Sequence, residues 1–152
     1  MGGAPRGRRS FRGTICLTGR ERFATTFQAT KAGALYAIIV FVIGFILGTI
    51  RVLLVVPRLG ETAAVIIEAP IMLAASWFVC RWCVDRLNVT RDVPARSLMG
   101  FVAFLVLMSA EVGLGAVLGR SLLAQFASYG SAAGAIGLAA QVIFAMFPIL
   151  CP

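Results

Sequence analysis

The chain has 152 residues, 60% of them hydrophobic and only 13% charged, with a net charge of +8. A water-soluble domain covers its surface with about a quarter charged residues, so the composition excludes one and points to an integral membrane protein. The basic balance does not indicate nucleic acid: the arginines flank apolar runs as topology signals do, and no nucleic-acid-binding motif accompanies them. Histidine is absent, which removes the commonest metal ligand and general base.

Residues 1–31 hold seven of the fourteen basic residues (Arg6, Arg8, Arg9, Arg12, Arg20, Arg22, Lys31) and a single acid, Glu21. They lack an apolar helical stripe and are expected to form a basic, disordered cytoplasmic tail. An Arg-rich, acid-poor leader is also the composition of a mitochondrial transit peptide, and a start placed too far upstream would look the same. A cleaved signal peptide is not expected, because the first apolar run is long and no small-residue cleavage site follows it.

The remainder, 32–152, reads as an all-α domain of four transmembrane helices in an up-down bundle. The first span is expected at 32–56, and its first 19 residues carry no charge, about the length that crosses 30 Å of hydrocarbon. Pro57 and Gly60 end it and turn the chain. The second span is expected at 61–84, with Glu68 and Pro70 inside it. A polar loop, "DRLNVTRDVPAR", covers 85–96. The third span, 97–119, contains Glu111. Residues 120–130 read as an interfacial segment with Phe126 and Tyr129 at headgroup level. The fourth span, 131–150, has Pro148 in its last turn, where few backbone bonds are lost. An alternative is a re-entrant fourth segment that leaves the C-terminus outside.

Orientation follows from the basic residues. The tail and the 85–96 region with its approach (Arg81, Arg86, Arg91, Arg96) are rich in arginine, and the other side has only Arg58 and Arg120. Both termini are therefore expected in the cytoplasm. The glycosylation pattern at Asn88–Thr90 falls on that side and reads as incidental.

The charges inside the spans are the informative feature, since each costs roughly 2.5–3.5 kcal/mol to insert. In an antiparallel hairpin, residues equidistant from the turn lie at one depth. That places Arg58 opposite Glu61 at the mouth, and Arg51 opposite Glu68 two helical turns below. Glu111 lies eight residues before Gly119, roughly 12 Å deep, and Gln141 comes to nearly the same level. The expected intramembrane charge layer is Arg51, Glu68, Glu111 and Gln141, with Arg58–Glu61 as a turn pair. Arg51 is the expected counter-ion of both glutamates. One arginine against two carboxylates leaves a charge to be met by a proton or another cation.

Other motifs carry less. Cys80 and Cys83, in "CRWC", have redox or metal spacing, and Cys151 should lie at their level. A four-ligand metal site would need Cys16 as well, and ordinary buried cysteine is the expectation. The pairs Gly44/Gly48, Gly115/Gly119 and Gly130/Gly134 have helix-packing spacing. Trp77 and Trp82 are expected as interfacial anchors. No catalytic constellation, metal site or cofactor site is expected.

The stretch "GFILGTIRVLLVVPRLGETAAVIIEAPIMLAASWFVCRW" resembles small four-span bacterial inner-membrane proteins with no assigned activity. The likeness covers about 33–150 and rests on Arg51, Pro57, Arg58, Gly60 and Glu61 at the turn, and on Glu68 and Pro70. It implies a bacterial inner membrane and no chemistry. Small multidrug exporters match in span count only, because their functional glutamate lies in the first span, where this chain has none. Two functional classes remain, the first the expected one and the second its alternative. One is a structural or accessory membrane protein whose charge layer specifies packing, its partners being lipid and either further copies or a larger membrane complex. The other is a small proton- or cation-coupled transporter or channel using Glu68 and Glu111. An enzyme is not expected.

Overall fold

The computed structural model describes residues 19–151. The chain forms α1 (Gly19–Ile50), a π-helical segment (Arg51–Val55), α2 (Val56–Leu59), α3 (Glu61–Arg86), α4 (Val93–Val117), α5 (Leu122–Ser128) and α6 (Ala132–Leu150). Among the described residues, four helical stretches are long and apolar enough to cross a membrane: Ala24–Leu59, Glu61–Arg86, Val93–Val117 and Ala132–Leu150. The large apolar side chains on their outer faces, among them Phe45, Ile46, Leu53, Phe78 and Phe101, are exposed. A soluble protein would bury such side chains, so the protein is a multi-pass membrane protein built as a helical bundle.

The expected disordered tail is corrected over 19–31, which belongs to α1; residues 1–18, with Cys16 and four of the arginines, lie outside the described residues. The reason is a stripe of small side chains. Ala29, Ala32, Tyr36, Ala37 and Val40 recur at helical spacing and are buried. Alanine contributes little to hydropathy, so the stripe was not visible as an apolar one. The first rod, 36 residues from Ala24 to Leu59, is about 54 Å long at 1.5 Å per residue.

Successive spans run in opposite directions. α1 packs against α3 and α4, and α6 packs against the same two. The parallel pairs α1/α4 and α3/α6 are thus neighbours, and the 87–92 connection crosses the diagonal between α3 and α4. Glycine permits two of these contacts. A Cβ on Gly33 would meet the main-chain oxygen of Met99, and one on Gly100 would fall on the main-chain oxygen of Ala145.

The core is concentrated at the end that carries the 87–92 loop and the end of α6. Tyr36, Val40, Cys80, Cys83, Val84, Met99, Ala103, Phe144 and Phe147 form one buried cluster there. Trp77 joins it, its ring edge-on to Phe147 at 5.3 Å, whereas Trp82 is exposed. Trp77 is therefore a packing residue and not an interfacial anchor. Arg96 is buried as well: it donates to the main-chain carbonyls of Pro148 (3.0 Å) and Cys151. Those carbonyls end α6 without helical partners, and a guanidinium is a suitable cap for them.

The opposite end is loosely packed. There α4 closes in a Schellman motif, with Gly119 at φ 78°, its N–H on Ala116 and the Arg120 N–H on Gly115. Gly119 is thus a cap and not half of a helix-packing pair. Its partner Gly115 leaves room for the Gln125 amide, onto which a Cβ would fall.

Candidate functional site

The site lies in the loosely packed half. Pro57 has no N–H to give and would clash with the Leu53 carbonyl four residues earlier. The helix widens just before it, the Val56 N–H reaching back to the Arg51 carbonyl in a π-type bond. Such bulges are common at functional sites. Arg51 is the first residue of the bulge, and its guanidinium lies 3.1 Å from a Glu68 carboxylate oxygen. The expected Arg51–Glu68 pair is formed.

The turn pair is not. Among the described residues Arg51–Glu68 is the one ion pair, and Arg58 and Glu61 are both exposed and do not meet. Gly60 at φ 79° redirects the chain between the two charges. Symmetry about the turn therefore holds for Arg51 and Glu68 and fails for Arg58 and Glu61.

Glu111 also departs from the expectation that Arg51 serves both acids. It makes no ion pair; its Oε1 accepts from the Gln141 side-chain amide at 2.6 Å. The layer is thus two couples, Arg51–Glu68 joining the first rod to α3, and Glu111–Gln141 joining α4 to α6.

Sequence reasoning missed a fifth member. Gln125, on α5, donates its amide to the Glu111 main-chain carbonyl at 2.9 Å. α5 is held in place by Ser121, whose hydroxyl accepts from the Ala124 N–H at 3.2 Å. Ser131 caps α6 in the same way through the Gly134 N–H at 3.0 Å. The Ser-x-x pattern before each helix is a start signal, but nothing local shows that α5 folds back onto α4.

All four spans line a half-open cavity of about 700 Å³ whose wall includes Arg51, Glu68, Glu111, Arg120, Gln125 and Gln141. The rest of that wall is largely apolar, from Val40, Phe41, Phe45, Met72, Leu107 and Phe144. A second space of about 280 Å³ adjoins it and is polar, edged by Glu61, Ser128, Tyr129 and Ser131. Arg51, Glu111, Arg120 and Gln141 line both. The charges therefore stand at the boundary between an apolar chamber and a polar vestibule. At the vestibule, burial pushes the Tyr129 phenol above its usual range and the nearby Glu111 charge adds to this, so the hydroxyl stays protonated. Three buried polar atoms without partners lie in this region, Arg51 Nε and the side-chain oxygens of Gln125 and Gln141, and a fourth, Arg96 Nε, lies in the packed half.

The cysteines lie elsewhere, in the packed half. The Cys151 thiol is 3.5 Å from the Cys80 sulfur, and Cys80, Cys83 and Cys151 are buried and unbridged. Among the described residues no cluster of histidine, cysteine or acids is arranged to hold a metal.

No family model, no curated protein and no solved structure matches this chain.

Proposed function

We propose that the protein is a small proton- or cation-coupled transporter of a bacterial inner membrane, with Glu68 and Glu111 as its coupling groups. The observation that carries this reading is the position of the charges. Side chains that only lock helices together are expected inside a dry, packed seam. Here Arg51, Glu68, Glu111 and Gln141 line a cavity of about 700 Å³, and ionisable groups facing an intramembrane cavity mark solute and ion pathways.

Both termini lie in the cytoplasm in this reading. Arg81, Arg86 and Arg91 still argue for that side, although Arg96 is spent on capping α6. The vestibule then opens to the periplasm. The accessory-protein reading draws on the Arg51–Glu68 couple, which ties two spans together.

Solvent access decides between them. With the native cysteines replaced, Gln141→Cys should react with a charged, membrane-impermeant thiol reagent added outside intact cells. The reaction should be lost in Gly137→Leu, because Gly137 lines both spaces and a Cβ there meets open space. A phosphatase fused after Pro152 should stay in the cytoplasm and show no activity. An unreactive Gln141→Cys, in a protein that co-purifies with a larger complex, would establish the accessory role instead.

A further inference from the structure

We infer that the chamber binds an amphiphilic organic cation, a protonated amine on a compact apolar body, with its head on the Glu111 carboxylate that Gln141 orients. The inference rests on the transport reading and names the chemical class of its substrate.

Charge is the first argument. Arg51 is taken by Glu68. Of the remaining charges on the two walls, Glu111 and Glu61 are negative and Arg120 is positive, and none of the three forms an ion pair. The unpaired set has an excess of one negative charge, which a monocation neutralises and an anion would double.

Hydrogen bonding is the second. Gln141 turns its amide nitrogen to Glu111 Oε1, which an ionised carboxylate requires because it only accepts. That leaves the Gln141 oxygen buried without a donor. Among the described residues no donor meets the second Glu111 oxygen either. The second Glu111 oxygen is the acceptor a ligand can reach, the Gln141 oxygen being closed off, and an ammonium head supplies three N–H donors to it. The Gln125 oxygen is not part of the set, since it packs on Gly115.

Shape is the third. The apolar chamber of about 700 Å³ lies within the 300–1,000 Å³ typical of small-molecule sites. Phe41, Phe45 and Phe144 on its wall suit an apolar body attached to a cation.

The same carboxylate can carry a proton in place of the amine. The groups facing Glu111 are Arg51 from the first rod, Glu68 from α3, Gln141 from α6, and Arg120, Gln125 and Tyr129 beyond α4. None of them replaces the missing cation. Amine and proton therefore exclude one another: the amine binds as Glu111 releases its proton to water, and leaves as the proton returns.

The test uses the full chain in lipid nanodiscs and three probes with one apolar body: octylammonium, octanol and octanoate. Empty nanodiscs correct for partitioning into lipid. Octylammonium should bind at least about tenfold more tightly than octanol, and octanoate should bind least. As pH falls through the range in which Glu111 takes up its proton, octylammonium affinity should drop about tenfold per pH unit and octanol affinity should not change. Glu111→Gln should bring octylammonium down to the octanol level and abolish the pH dependence. If that variant does not fold, Gln141→Leu should still reduce the preference severalfold. Gly137→Leu should block all three probes. Equal binding of octylammonium and octanol, or preference for octanoate, overturns the amine assignment, and sensitivity to Gly137→Leu would then leave the cavity reading standing. Failure of all three probes to bind, or binding indifferent to Gly137→Leu, overturns both.

Discussion

The Tyr36 hydroxyl donates to the main-chain carbonyl of Phe144 at 3.2 Å, and that carbonyl is the one Pro148 leaves open. A residue with an N–H at 148 would bond it in the ordinary helical pattern. Tyr36 comes from α1, on the far side of the bundle, and also stacks its ring on Phe144 with centroids 4.4 Å apart. One proline in the last turn of α6 thus creates a polar group that only α1 satisfies, in a place where no water can reach it.

Tyr36→Phe should therefore cost about 1–3 kcal/mol, the price of an unmet buried carbonyl. Pro148→Ala restores an N–H at 148, so in that background the same substitution should cost much less. Thermal unfolding of the four proteins in detergent would give the coupling. Additive losses would show that the Tyr36 bond and Pro148 act independently.

Arg96→Met should lower thermal stability severely while leaving the orientation unchanged. Arg96 is 4% exposed and works as the cap of α6, and removing it strands two carbonyls at about 1–3 kcal/mol each. Removal of an ordinary topology signal would do the reverse. Unfolding temperature and a reporter fused after Pro152, measured on the same variant, separate the two roles.

Arg51→Leu should strand Glu68 and lower stability by about 1–3 kcal/mol, because one partner of a partly buried couple remains. Adding Glu68→Gln should recover most of the loss. Adding Glu111→Gln instead should recover little, since Glu111 is held by Gln141. Equal rescue by either change would mean that Arg51 serves both acids as a single unit.

The glycines should divide sharply. Gly100→Ala and Gly33→Ala must push helices apart, and each should destabilise by roughly 1–3 kcal/mol through overpacking. Gly48→Ala and Gly137→Ala meet nothing within 4 Å and should be neutral or stabilising by up to about 1 kcal/mol, the helical preference of alanine. Loss of stability at Gly48 equal to that at Gly100 would contradict the packing described for α4 and α6.

Composition and hydropathy were sufficient for the membrane class, the four spans and their approximate limits. Lipid imposes a simple rule on a chain, that about 20 apolar residues must run together in a helix, and such a rule can be read locally. The depth of each charge was legible for a related reason, since counting from a turn gives depth at 1.5 Å per residue. Depth is not contact, however. Which side chain meets which depends on rotation about each helix axis and on which helices are neighbours, and both are properties of the assembled bundle. The course of the chain through Gly60 therefore kept Arg58 and Glu61 apart, and Glu111 took Gln141 in place of Arg51. The alanine stripe of α1, the cap on α6 and the fold-back of Gln125 also emerged only in three dimensions. So did the cavity, because empty space belongs to no residue: it is left where the small residues that draw the helices together at one end give way to a bulge and a layer of charge at the other.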